Sequence, residues 1–387
     1  MNKLTLSALT LAILGTTSIA HAQSSVTLYG IVDTAVSYTH NNATPNGNAS
    51  SKLSLNGNGN MSGDRFGVKG TEDLGGGLKT VFQLESGFDL SNGQLNQGGR
   101  EFGRQAFVGL SSANSGTVTL GRQYDPVVDM IQPLTEDVHF GSIFGTPGDV
   151  DNYDDNFRVD NSIKYVSPSY NGLQMEGMYA MGGVAGQTSA GQSYSLAASY
   201  NRGGLGLALG YFNTKSSSST VFQSTADTNA DAGINSAFST GAQSLGIGRV
   251  AAQYEFGAFT VGASYSNVQY RPLSDAGLFT STETFNSGST FLNYQLNPAT
   301  LLGLGYTYMK SNGVTSATYN QVSLGSDYSL SKRTDLYAVF AYQSANGQTL
   351  SADGSSFVNA SASIGSFGTP SGNSSQDMLM LGIRHQF

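Results

Sequence analysis

The chain has no cysteine, which excludes a disulfide framework and any thiolate metal site. It has only 4 histidines, 8 prolines and 11% charged residues in 387. Beyond the first 22 residues no run reaches the ~20 consecutive apolar residues a spanning helix needs, so a membrane crossing would have to use strands. The formal charge of -8 argues against a general nucleic-acid binder.

The scarcity of histidine leaves catalysis little to work with. His21 lies in the leader described below, His40 in a polar connection, and His385 on an apolar face near the chain end. His139 remains, without a nucleophile elbow to accompany it. Gly204-Leu-Gly206-Leu-Ala-Leu-Gly210 opens no helix and reads as close backbone approach within a strand. The acids of Asp149-Val-Asp151-Asn-Tyr-Asp154-Asp155 lack the central glycine and distal glutamate of a calcium loop. No cofactor is implied.

What is present begins with a leader. Met1 to Ala22 has Lys3, an apolar run through Leu9, Leu11, Ile13 and Leu14, and the small-residue site Ala20-His21-Ala22. This pattern predicts a secretory signal peptide over 1–22 and one mature domain over 23–387. A retained anchor is the alternative. Gly 50, Tyr 20 and Phe 20 suit short strands and tight turns. The mean hydropathy of -0.18 fits a water-filled barrel, in which half of each strand faces solvent.

Alternation locates sixteen candidate strands, at 25-38, 62-73, 78-90, 102-112, 116-125, 159-167, 173-182, 193-201, 205-214, 244-256, 259-270, 289-297, 300-310, 318-330, 334-345 and 376-387. Connections alternate between short turns, such as Asp73 to Gly77, and long Gly/Ser/Asn/Thr-rich loops at 39-60, 126-158, 215-243, 271-288 and 346-375. That rhythm predicts an all-β, 16-stranded antiparallel transmembrane β-barrel with short periplasmic turns and long extracellular loops. A soluble sandwich or propeller would bury each apolar face in a dry core instead. Lipid offers no partner to an open sheet edge, so the last strand should pair with Ser25 to Tyr38.

In that last strand Leu379, Leu381, Ile383, His385 and Phe387 fall on one face, with Gly382, Arg384 and Gln386 on the other. Parity elsewhere turns basic groups away from lipid. Arg65 and Lys69 should face in opposite Phe66 and Val68, and Lys79 and Glu85 opposite Phe82 and Leu84. Arg104 should face in opposite Phe107, and Arg249 opposite Val250, Ala252 and Tyr254. Arg158, Asp160 and Lys164 should face in opposite Ile163 and Tyr165. The first half would then present a basic wall at similar depth.

The connection from Tyr124 to Arg158 carries Asp129, Glu136, Asp137, Asp149, Asp151, Asp154 and Asp155 with Phe140 and Phe144. Its length allows it to fold into the barrel, where its acids would face the basic wall across a narrowed channel. A hydrated outer cap is the alternative.

Several segments in order resemble the general bacterial porins, trimeric sixteen-stranded outer-membrane diffusion channels. They are Ser25-Val-Thr-Leu-Tyr-Gly-Ile-Val-Asp33, Asp64-Arg-Phe-Gly-Val-Lys-Gly-Thr-Glu-Asp-Leu-Gly75, Arg104-Gln-Ala-Phe-Val-Gly-Leu110, Thr119-Leu-Gly-Arg-Gln123, Asn161-Ser-Ile-Lys-Tyr165, Ser331-Lys-Arg-Thr334 and Arg384-His-Gln-Phe387. The resemblance implies passive diffusion of small hydrophilic solutes and ions, with outer-membrane lipids and the assembly machinery as further partners. It implies an infolded third loop, Arg65, Lys69 and Arg104 as constriction cations, with Arg158 and Lys164 as further members. Glu136 and Asp137 would be among the opposing acids. The family's Pro-Glu-Phe-Gly type of turn is replaced here by Phe140-Gly141 and Phe144-Gly145. The resemblance also suggests a subunit contact at Arg122 in a homotrimer and an assembly signal at Phe387. An adhesin or structural barrel is the competing reading, followed by a barrel enzyme.

Overall fold

The computed structural model describes residues 24–57, 60–228, 230–274 and 277–387, so the expected leader lies outside the described residues. Strands dominate: β1 (Ser25–Ala43), β2 (Ala49–Asn56), β3 (Arg65–Gly75), β4 (Leu78–Gly87), β5 (Gln105–Ser112), β6 (Gly116–Gln123), β7 (Val159–Val166), β8 (Leu173–Ala180) and β9 (Ser193–Arg202). They continue with β10 (Leu205–Lys215), β11 (Ala242–Phe256), β12 (Phe259–Pro272), β13 (Glu283–Asn297), β14 (Thr300–Asn312), β15 (Ser316–Ser329), β16 (Thr334–Leu350), β17 (Phe357–Asn359) and β18 (Ser375–Gln386). Short α-helices lie in the described loops: α1 (Pro126–Ile131), α2 (Asp137–Phe140) and α3 (Ser236–Gly241). No described helix is long and apolar enough to cross a membrane.

The wall is a closed ring of sixteen antiparallel strands, each at a position expected from alternation. β1 pairs with β3 through Ser25↔Thr71 to Ile31↔Arg65, and neighbours follow in sequence round to β16 and β18. Closure comes from β18 against β1, from Ile31↔Gln386 to His40↔Asp377. Every strand of the spanning wall thus has a hydrogen-bonded neighbour on both sides and no edge is left open, the condition lipid imposes. The two strands that alternation missed extend loops: β2 pairs with the outer half of β1, and β17 with the end of β16.

The outward face is apolar. Leu304, Tyr306 and Tyr308 on β14 are exposed, while Gly303, Gly305 and Thr307 between them turn in and are buried. Tyr254, Phe256, Phe259 and Tyr294 form a stacked aromatic row beside the short β11–β12 turn, with centroids 6.0, 5.7 and 4.8 Å apart. Amphipathic rings at that level match the interfacial girdle of outer-membrane barrels.

The 126–158 connection folds inside the ring. α1, capped by the Asp125 carboxylate on the Val127 N–H at 2.8 Å, packs on the inner faces of β9 and β10. Leu134 and Val127 lie over Gly206 and Gly210, so that glycine run serves close backbone approach, as its alternation indicated. The loop continues across to β15, where Gln321 Nε2 donates to the Ile143 and Gly145 carbonyls at 3.0 Å each.

A second loop, between β10 and β11, reads from its Ser, Asn and Thr content as an outer connection. It instead buries Ile234, Ala237 and Phe238 in the barrel's outer half, with Phe238 against Phe279 at 5.1 Å and Phe285 at 5.9 Å. Asp231 accepts from Ser363 Oγ at 2.6 Å, joining this loop to the last one. The apolar positions 234, 237 and 238, spaced by three and four, were the sequence signal for it.

Candidate functional site in the barrel interior

The basic groups gather around one phenol. Arg104 Nη2 donates to Tyr124 Oη at 2.6 Å and Arg158 Nη2 donates to the same oxygen at 2.5 Å. Arg158 also lies over the Tyr124 ring, 4.6 Å from its centroid. Arg65 reaches the cluster from β3, donating through Nε to the Gly63 carbonyl at 2.9 Å. A β-carbon on Gly63 would stand 2.9 Å from Arg104 Nη1 and 3.9 Å from Arg65 Nη2, so the two guanidinium groups flank that glycine. Arg104 is held by Glu85, Nε to Oε1 at 2.9 Å, and Glu85 accepts from Tyr29 Oη at 2.7 Å.

The loop acid in this cluster is Asp155, 3.8 Å from Arg104 and 3.7 Å from Arg158. Glu136 and Asp137 stand elsewhere. Glu136 is 1% exposed and accepts from Asn293 Nδ2 of β13 at 2.9 Å, in the joint between loop and wall. Burial pushes its carboxyl up to about 9, so it is neutral at pH 7. Asp137 accepts from Gln132 Nε2, and burial beside Asp154 raises its carboxyl well above the usual range. Asp149 is raised by burial and by Asp154 in the same way. Burial also raises Asp154, which accepts from Ser142 and Ser366. The acids that composition placed on the loop are thus largely inside it.

Lys69 faces the interior, its Nζ 4.9 Å from the Tyr29 ring centroid, but four residues along β3 from Arg65. At ~3.3 Å per residue that is ~13 Å along the strand, toward the short-turn end. The expectation of a wall at similar depth is corrected accordingly. Lys164 also faces in, where it pairs with Asp129 and, at 3.1 Å, with Glu176. Arg249 faces in as expected and donates to the Asn152 carbonyl at 3.1 Å, holding the returning loop.

Two parity assignments are overturned. Asn161 adopts φ 52°, and the β6–β7 register shifts between Gly121 and Gln123. This bulge puts two residues on one side. Val159 therefore points inward at 0% exposure, and Asp160 turns out to pair with Arg122 at 2.7 Å. Phe107 points inward, because Val108, Leu110, Val118 and Leu120 make the exposed outer face of β5 and β6. Arg104 precedes β5, so alternation cannot be carried across it.

Arg122 stands at the outer end of β6. Its guanidinium is satisfied within its own chain, by Asp160, by Asp227 of the β10–β11 loop, and by the Gly103 carbonyl at 2.8 Å. Any part in a subunit contact must run through the loop it tethers. At the chain end, Arg384 faces in and pairs with Asp335 at 3.2 Å and Asp327 at 3.8 Å. Phe387 faces out, its N–H donating to the Gly30 carbonyl at 3.0 Å and its carbonyl accepting from the Gly30 N–H at 3.1 Å.

Residues 7–348 match the family model described as Gram-negative porin. The chain is 32% identical over 370 residues to an outer membrane porin protein of Bordetella pertussis, covering 88% of this chain and 94% of that one. Its structure is similar to the anion-selective porin from Comamonas acidovorans, with TM-score 0.73 and 26% identity over 94% of this chain and 100% of the other. OmpT of Vibrio cholerae in its trimer form shares the fold, with TM-score 0.64 at 17% identity, covering 94% and 99%.

Proposed function

This chain belongs to the Gram-negative porin family and forms a water-filled outer-membrane channel for passive diffusion of small hydrophilic solutes and ions, and we propose that its constriction lies at the arginines around Tyr124 and favours anions. Arg65, Arg104 and Arg158 form the positive side, Asp155 is the loop acid facing them, and Lys69 continues the positive wall toward the periplasm. Glu136 and Asp137 position the loop from within its joint.

The observation that carries this reading is the unequal fate of the charges. Guanidinium groups stay ionised at any physiological pH. Burial instead raises the Glu136 carboxyl to about 9 and lifts those of Asp137 and Asp149 above the usual carboxylate range, and all three are packed inside the loop or its joint, so the acidic total of the chain does not describe the charge that a permeating ion meets. The similar porin from Comamonas acidovorans is anion-selective, which agrees with this balance.

Reversal potentials in a salt gradient across planar bilayers test the assignment. The Arg65→Gln/Arg104→Gln/Arg158→Gln variant should move selectivity toward cations. Unchanged potentials in a conducting variant would place the constriction elsewhere. Transport of this kind needs no covalent step. We also assign the chain to a homotrimer, supported by the resemblance to trimeric porins and by the trimer form of the Vibrio cholerae protein, and testable by cross-linking in detergent.

A further inference from the structure

Below the arginines, on the periplasmic side, the inner wall carries a row with a different chemistry. Thr27↔Lys69, Lys69↔Gln83, Gln83↔Phe107 and Phe107↔Gly121 are successive partners across β1, β3, β4, β5 and β6. Their side chains therefore stand side by side on the lumen face. Lys69 is exposed and has no carboxylate partner among the described residues; its ammonium rests near the Tyr29 ring. Lys164, by contrast, is spent on Asp129 and Glu176.

Phe107 is half-buried, and its cross-strand neighbour Gly121 has no side chain to cover the ring on that side. An apolar ring open to a water-filled lumen has no packing role that a polar residue would not fill more cheaply. A cavity of about 430 Å³ opens here, with Lys69, Gln83, Gln105, Phe107, Thr119 and Lys164 among its lining. Lys69 and Phe107 are two strands apart, about 10 Å between backbones at ~4.8 Å per strand. One aromatic ring bearing one carboxylate spans that distance when its two contact distances are included.

We propose that this row is a binding subsite for small aromatic carboxylates in the periplasmic half of the channel. The carboxylate pairs with the Lys69 ammonium, and the Gln105 amide offers an N–H donor from the same lining, Gln83 Nε2 being held by Tyr29 Oη at 2.8 Å. The ring stacks on Phe107. An aliphatic carboxylate gains only the charge, and an uncharged aromatic only the ring, so the pair of contacts selects the class.

The test uses the full-length protein in planar bilayers, with chloride current recorded while sodium benzoate or sodium acetate is added on the periplasmic side. Benzoate should reduce the current at concentrations roughly two- to tenfold lower than acetate, the span of a stacked aromatic pair. Phe107→Leu should bring benzoate to the acetate value with open conductance retained, Phe107→Tyr should keep the benzoate effect, and Lys69→Gln should weaken both anions. Equal block by benzoate and acetate in the unaltered protein, or undiminished benzoate block in Phe107→Leu, overturns the subsite. A protein giving no conductance at all would instead overturn the channel on which the subsite rests.

Discussion

The Phe140 ring occupies the space that a side chain on Gly303 would fill: a β-carbon there would come within 2.3 Å of Phe140 Cε2. Gly325 on the next strand stands in the same relation, at 2.4 Å from Phe140 Cδ1, and Gly305 lies under Phe144 at 2.6 Å. Phe140 and Phe144 stack with centroids 5.3 Å apart. The infolded loop is therefore seated by a glycine floor in β14 and β15.

That seat makes Gly303→Val a probe of the loop that leaves every lumen charge in place. Overpacking a fitted site costs about 1–3 kcal/mol, so the loop should lift from the wall rather than the barrel unfold. The expected result is a less uniform single-channel conductance with the ring still inserted. A conductance and noise level identical to the unaltered protein would mean that Phe140 does not anchor the loop.

Asp155 gives a second test, of opposite sign to loss of the arginines. It lies 3.8 Å from Arg104 and 3.7 Å from Arg158 with its side chain partly open to water. Asp155→Asn should raise the anion-to-cation permeability ratio about two- to fivefold, the size of a partly hydrated charge interaction of ~0.5–1 kcal/mol. Reversal potentials measure it directly. A shift toward cations would contradict the assigned geometry.

How much of this was legible beforehand depends on whether a feature is written in alternation or in burial. The sixteen wall strands follow from period-two patterning, which barrel closure enforces on every strand. Arg65, Lys69 and Arg249 fall on the correct face for the same reason. Asp160 was misplaced because a single bulge at Asn161 reverses parity and leaves no mark in the alternation. Asp155 could not be told from Glu136 and Asp137, since all three are acids of one loop and only the folded path decides which is buried. Phe107 failed where a turn residue was counted as strand.

The Glu136 carboxyl supplies a prediction in pH. Burial raises it to about 9 in the folded chain, against an ordinary value near ~4.3 in the unfolded one. The folded state then holds a proton that the unfolded state has released, so this group's contribution is full below the ordinary carboxylate range and is lost as pH rises through about 9. Glu136→Gln keeps an uncharged partner for Asn293 and removes the titration. Thermal unfolding from pH 6 to 10 should show the variant gaining on the unaltered protein as pH rises. Asp137 and Asp149 shift in the same direction, so the difference between the two curves is the readout. Parallel curves would remove Glu136 from the account.

The last residue tests assembly separately from conduction. Phe387 makes both backbone hydrogen bonds to Gly30, and its ring lies where a β-carbon on Gly30 would stand, 2.3 Å from Phe387 Cζ. It faces away from the lumen, 45% exposed, so no permeating ion meets it. Deleting Phe387 removes the end of the closing ladder together with the terminal aromatic proposed as the assembly signal. Outer-membrane yield should fall several-fold, while the molecules that do insert keep the conductance and selectivity of the full chain. Gly30→Ala separates the two causes, because it crowds the ring but keeps the terminal aromatic. A normal yield for the deletion would refute the assembly role. An equal loss in both variants would assign the effect to ladder closure rather than to recognition of the terminus.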